Sequence, residues 1–270
     1  MSDKAASEPQ PARKPVSMMP DVNELTVDDL KDALAKGWAD FRRAPQFGIF
    51  FALAYVLGGL LIVQSLFVWE QSWMIYPVMI GFPLIGPFAA VGLYEVSRRL
   101  ASGEPLAWNE ILQVIRIQSS REMAWMAFVM LFIFWIWMYQ VRLLVALFLG
   151  RLSFSTLERF TEVVFTTSNG LWFLAVGHVV GAFLAIIMFS VTVVSIPMLL
   201  DRNVDFVTAM VTSVKTVFAS PMVMIGWGLL VTLAVILSMM PAFLGLLITL
   251  PVLGHATWHI YTKAVATPAT

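Results

Sequence analysis

Few residues in this chain are equipped for chemistry. It has three histidines and no cysteine. Without thiols, there are no disulfides, thiolate metal sites, iron–sulfur clusters or cysteine nucleophiles. His255 and His259 stand four apart, which on a helix puts both on one face. Such a pair can grip one side of a small metal ion or hand on a proton, but it cannot ligate both faces of a haem. The third histidine, His178, would differ in depth from His255 by about 8 Å if both helices cross a bilayer. Trp258, Tyr261 and Lys263 flank the pair. Aromatic and basic side chains gather at the headgroup level of a membrane. The pair is therefore read as an interfacial anchor, with a metal or proton site as the alternative.

The second group that could act is charged. Glu95, Arg98 and Arg99 follow one apolar run, and Asp201 and Arg202 follow another. If the helix ends pack together, these five meet His255 and His259 in one polar cluster at the cytoplasmic mouth of a bundle. The cluster could serve as a gate or docking surface, but a ring of headgroup-level ion pairs is the preferred reading. The chain has no phosphate-binding loop, no GxSxG, no HExxH and no pair of intramembrane aspartates. No catalytic site is assembled from such a set, so a non-enzyme is expected, with no cofactor and no bound metal. Arg142 is the one charge close to the interior of an apolar run, and it is expected to snorkel outward.

The elements that position these groups follow from composition. Of 270 residues, 59% are hydrophobic and 13% charged, and the net charge is zero. Mean hydropathy is +0.82. A neutral chain offers no global field for nucleic acid. Charge-free runs cover 47–69, 71–94, 123–141, 163–200 and 216–262. A helix needs about 20 apolar residues to cross roughly 30 Å of hydrocarbon. The expectation is an all-α polytopic membrane helix bundle with six transmembrane helices, near 47–68, 73–94, 123–141, 172–200, 222–240 and 242–262. Fourteen Lys and Arg fall on one side of that topology and three (Arg142, Arg151, Arg159) on the other, which predicts both termini in the cytoplasm. Residues 1–25 read as a disordered tail rather than a cleavable signal. Residues 26–263 form the membrane domain, and 264–270 a short cytoplasmic tail.

Interfacial helices are expected near 26–43, 108–122 and 204–219. In the first, Val27, Leu30, Leu34, Trp38 and Phe41 share a face, and Thr26 with Asp29 forms a capping box. In the last, Val204, Val207, Val211, Val214 and Phe218 make a similar stripe. Both stripes are expected to be buried. Asp29 precedes Pro45 by sixteen residues, and Asp205 precedes Pro221 by sixteen. Three units of interfacial helix plus helix pair would make an internal repeat of pseudo-threefold character. Gly177 and Gly181 predict close helix packing.

Four segments carry a family resemblance: Gly81–Arg99 (GFPLIGPFAAVGLYEVSRR), Gly37–Pro45 (GWADFRRAP), Pro197–Arg202 (PMLLDR) and Pro251–Tyr261 (PVLGHATWHIY). Together they resemble the bacterial predicted integral membrane family called domain of unknown function 2189, over about residues 30–263. The resemblance implies a bacterial cytoplasmic (inner) membrane protein without established activity. Some members carry a cytochrome c oxidase label, which implies a respiratory context, although three histidines are too few for a catalytic oxidase subunit. The expected function is a non-catalytic accessory or assembly protein of an inner-membrane complex, with the lipid bilayer and other membrane subunits, such as a respiratory oxidase, as partners. The alternatives are a carrier or channel for a small or lipid-like solute and, more weakly, a haem- or metal-binding electron carrier. An accessory protein should turn Trp- and Met-rich faces outward and lack a wet cavity, whereas a carrier should enclose a polar one.

Overall fold

The computed structural model describes residues 19–68, 75–118, 121–150 and 157–266. Helices account for nearly all of them. In chain order these are α1 (Val27–Arg43), α2 (Pro45–Phe67), α3 (Ile75–Ser102), α4 (Trp108–Gln118), α5 (Arg121–Leu144), α6 (Leu157–Thr166), α7 (Ser168–Thr192), α8 (Ser195–Asp201), α9 (Phe206–Ala219), α10 (Pro221–Met239) and α11 (Leu246–Ala264). A π-helical turn, Val145–Leu149, extends α5. Among the described residues, four stretches are long and apolar enough to cross a membrane: Pro45–Ser65, Glu122–Leu149, Ser168–Asp201 and Pro221–Met239. α11 is not among them. Its Pro251, His255, Thr257 and His259 dilute its apolar character.

Local sequence explains the helix ends. The Thr26–Asp29 capping box forms, with the Thr26 N–H donating to Asp29 Oδ2 over 2.9 Å. Asp205 caps α9 by accepting from the Thr208 N–H at 2.9 Å. Two corners share one geometry. Ala44 (φ −139, ψ 52) separates α1 from α2, and Ser220 (φ −138, ψ 61) separates α9 from α10. Each corner residue donates its N–H to the carbonyl four residues back, Asp40 O or Thr216 O. Each is followed by a proline at the first helical position, where no N–H is needed. The buried positions correspond as well: Ala33, Gly37, Asp40, Phe41 and Ala44 in one unit, and Ala209, Ser213, Thr216, Val217 and Ser220 in the other. The corresponding corner before α5 falls on residues outside those described. The break at Met239–Pro241 is a tight turn in which Ala242 and Phe243 take left-handed backbone angles (φ 52 and 65).

The expected apolar stripes are buried only in part: Phe41 is buried, and Leu30, Leu34 and Val204 pack against the core. Val27, Trp38, Val207 and Phe218 are exposed, Phe218 to 76%. Apart from Phe41 and Val217, the buried positions of α1 and α9 are small or polar residues. In a membrane-embedded fold this is physically sensible. Lipid is as apolar as a leucine side chain, so large apolar residues gain nothing by turning inward, whereas small ones let backbones approach.

Gly37 shows that approach. A Cβ there would lie 2.6 Å from Ala256 N and 2.7 Å from Val252 O. α1 thus runs backbone against backbone along α11, its most extensive neighbour. A short antiparallel bridge between Val22 and Val265 extends the pairing, and Asn23 N–H donates to Ala264 O at 2.8 Å. α11 also packs on α2, α3 and α10. The core collects around it, with Tyr94, Met126, Met198, Met224, Trp227 and Trp258 buried together. By contrast, Gly177 and Gly181 leave room for a side chain. Added Cβ atoms would meet only Leu144 at 3.9 Å and Trp137 at 3.7 Å. The pair packs against α5 side chains at ordinary van der Waals distance, without the backbone-to-backbone approach seen at Gly37.

Candidate functional site

The contact between α1 and α11 at Gly37 sets the next turn of α1 against the two histidines. Asp40, near the end of α1, is buried, as are Ser97 on α3 and His255 on α11. Ser97 Oγ donates to Asp40 Oδ2 at 2.8 Å and lies 2.8 Å from His255 Nδ1. His259 Nε2 donates to the same Asp40 oxygen at 2.7 Å. The proton arrangement follows from counting. A carboxylate only accepts, and a hydroxyl has one proton to give. Ser97 spends that proton on Asp40, so it must accept from Nδ1–H of His255. His255 Nε2 is then left as a lone-pair nitrogen, fully buried and without a partner among the described residues. Its sequence neighbour on the same face, His259, keeps partial access to the surface.

Three further networks surround this one. Glu95 is buried at the end of α3 and accepts from two arginines. Arg98 engages it through Nε at 2.7 Å and Nη2 at 2.8 Å, and Arg99 through Nε at 2.6 Å. Arg99 also reaches Glu110 of α4 and the Pro105 carbonyl, the latter at 3.0 Å. These bonds fix α4 to α3. At the α8 end, Tyr261 OH donates to Asp201 Oδ2 at 2.6 Å. Arg202 donates to Tyr261 OH at 3.1 Å and to the Ala266 carbonyl at 2.9 Å. Lys263 bridges Asp29 at 2.9 Å and Asp32 at 2.7 Å. Its hydrogen bonds hold both carboxyls below their usual range.

The seven residues expected in one polar cluster therefore divide. Glu95, Arg98 and Arg99 tie α3 to α4; Asp201 and Arg202 tie α8 to α11; His255 and His259 meet Asp40 and Ser97. Among the described residues, the three groups share no hydrogen bond. His255 is not a headgroup-level anchor, since its ring is enclosed by protein, and Trp258 beside it is also buried. His178 is exposed on α7, where its Nδ1–H donates to Leu174 O at 2.7 Å. Sequence reasoning missed Asp40, Ser97 and Tyr261. Asp40 could have been found: it shares a face with Ala33, Gly37 and Ala44, and a carboxylate on a stripe of small residues points toward a neighbouring helix.

The network can hold and pass a proton between His259 and Ser97 through Asp40. Among the described residues no group of three or more His, Asp or Glu is arranged to hold a metal ion. One concave region borders it through Gly254, next to His255, and another lies on other helices. A crevice of about 190 Å³ between α2, α3, α10 and α11 is lined by Phe51, Ala89, Leu93, Val231 and Leu253, with Tyr55 and Thr257 as its polar members. A groove of about 570 Å³ between α5, α7 and α10 is also mainly apolar, with Gln140, His178 and Thr232 at its walls.

A family model described as "Predicted integral membrane protein (DUF2189)" matches residues 75–201, from α3 through α8. It is the family that the motifs resemble, and the motifs at Gly37–Pro45 and Pro251–Tyr261 lie outside the matched segment. No curated protein and no solved structure matches the chain.

Proposed function

We propose, from the premise that residues 75–201 match a family of predicted integral membrane proteins, that this chain is a non-catalytic accessory or assembly protein of a membrane complex. The observation that carries the reading is α5. It is long and apolar enough to cross a membrane, yet only 6% of its most apolar window is buried. Its outward side chains include Trp125, Phe128, Phe132, Trp135 and Tyr139. A protein whose work lies inside itself encloses a polar space, but the crevice between α2, α3, α10 and α11 is lined almost wholly by apolar groups. Outward aromatic surface together with an apolar crevice suits a protein that binds other membrane subunits.

In this reading α3 and α11 complete six crossings, both termini lie in the cytoplasm, and the membrane is the bacterial inner one. The two matching corners at Ala44–Pro45 and Ser220–Pro221 support an internal repeat, with α4 and α5 as its third member. The oxidase label carried by some family members makes a respiratory complex the first partner to test. Purification of the tagged chain from its native membrane in mild detergent, followed by mass spectrometry, should recover one or a few membrane subunits in fixed ratio. Recovery of the chain alone, together with solute flux through proteoliposomes containing it, would replace the accessory reading with the carrier one.

A further inference from the structure

We infer that the outer face of α5 is a docking seam for one transmembrane helix of a different protein, a helix that carries a carboxylate level with Arg142. This deepens the accessory reading and rests on it.

The seam is defined by spacing. Trp125, Phe128, Phe132, Trp135, Tyr139 and Arg142 advance by three and four residues alternately. That is the 3.5-residue period by which one helix keeps its side chains facing another along a left-handed crossing. Lipid has no register and requires no such period. The seam residues are exposed: Phe128 to 57%, Phe132 to 52%, Trp135 to 61% and Tyr139 to 58%. The opposite face of the same helix is the packed one, where Met123, Met126 and Met130 enter the core. The rings also order one another. Phe128 and Phe132 stack with centroids 6.5 Å apart, Trp135 and Tyr139 meet edge-on at 5.5 Å, and Trp125 stacks on Phe206 of α9 at 5.8 Å. A ridge of this kind is already arranged before a partner arrives, which lowers the ordering cost of binding.

Depth and charge choose the occupant. Tryptophan and tyrosine normally sit at the membrane–water boundary. Trp135 is exposed and lies midway along the apolar stretch Glu122–Leu149, the depth at which hydrocarbon would surround its indole. An N–H there needs an acceptor that lipid tails do not supply and a facing helix does. Arg142 ends the seam, is exposed, and pairs with no side chain among the described residues. Two copies of this chain in one membrane share an orientation, so a twofold axis would set Arg142 against Arg142. Like charges at that contact repel, which disfavours self-association through this face. A carboxylate on a different helix satisfies the guanidinium, and small side chains on that helix receive the aromatic rings.

The test places a photoreactive phenylalanine analogue at Phe128, Phe132 or Trp135 of the full chain in its native membrane. A control probe stands at Phe183, an exposed position on α7. The expected result is one discrete crosslinked membrane protein from the seam positions and none from Phe183. The crosslinked peptide should be an apolar span with Asp or Glu near one end. Arg142→Glu should lower the yield about tenfold, the scale of a lost charge-assisted hydrogen bond, while Arg142→Lys keeps most of it. Equal recovery of both variants from the membrane controls for folding. Lipid-only adducts, a product composed of two copies of this chain, or a yield insensitive to Arg142→Glu would each overturn the inference. If subunits co-purify in mild detergent but crosslink elsewhere, the seam fails and the accessory reading stands. If nothing co-purifies and the seam labels lipid alone, both fail.

Discussion

α11 and α5 are helices of the same bundle with opposite surroundings. α5 is among the stretches apolar enough to cross a membrane, and only 6% of its most apolar window is buried. α11 is too polar to be counted with them, yet it buries Leu246, Pro251, Leu253, His255, Ala256, Trp258, Ile260, Tyr261 and Ala264. In water the ranking would be reversed, with the most apolar helix innermost. In lipid the hydrocarbon solvates apolar side chains as well as a protein core does. Polar groups are then tolerated only where other helices supply their hydrogen bonds. α11 is central because α1, α3 and α8 bring Asp40, Ser97 and Asp201 to it. α5 is peripheral: past Glu122 at its start, which accepts from the Phe206 N–H at 2.9 Å, it carries few polar side chains before Arg142.

Four outcomes would break or sharpen this contrast. The largest effect should come from Asp40→Ala, which removes the common acceptor of Ser97 and His259, so that the Ser97 O–H and the His259 Nε2–H both lose the group they donate to. The expected loss is about 2 to 3 kcal/mol, below the figure for a broken buried pair in water because the membrane-inserted unfolded chain also finds partners. Thermal melting in detergent would show it, and an unchanged melt would mean the α11 network is not structural. Gly37→Ala should come next, at about 1 to 3 kcal/mol, because the new Cβ meets α11 backbone rather than a movable side chain. Gly177→Ala, whose new Cβ would meet only Leu144 at an ordinary 3.9 Å, should be neutral or stabilise by up to about 1 kcal/mol. A melt that ranks these two glycines the other way would contradict the packing described for α1 and α7.

A smaller effect concerns pH. The Asp29 and Asp32 carboxyls are held below their usual range by hydrogen bonds from Lys263. For groups lowered in the folded state, the stabilisation is complete above the unfolded value of about 3.9 and is lost as pH falls through the folded values. Melting followed downward from pH 6 should therefore decline in acid, and Lys263→Ala should flatten that part of the decline. An identical acid profile in the variant would remove Lys263 as the cause. The smallest effect is expected on α5. Phe132→Ala or Trp135→Ala should change the melting of the isolated protein by no more than about 0.5 kcal/mol, as for a surface position. A larger loss would show that the outer face of α5 packs against its own chain.

Helix ends and corners were readable because they depend on neighbours in sequence. Thr26, Asp29, Asp205, Pro45 and Pro221 each act within four residues, and each does in the fold what its type and position predict. The inward faces were less readable. Trp38 and Phe218 belong to clear apolar stripes and still point outward, since a stripe identifies the inner face only when the surroundings are water. The histidines illustrate the same limit. Their spacing placed them on one face of a helix, but nothing near them in the chain named Asp40, which lies 219 residues from His259, or Ser97, which lies 158 from His255.

The sequence by itself determined the class of the protein, the positions of most helices, their caps and their breaks. Charge-free runs, turn residues and capping side chains act over one or two turns, so they survive being read one residue after another. Only the tertiary structure decided which helix is central, which face of each turns inward, and that seven polar residues serve three separate networks. Those outcomes depend on backbone approach at a single glycine and on partners far apart in the chain. In a bilayer no difference in hydrophobicity between inside and outside marks them beforehand.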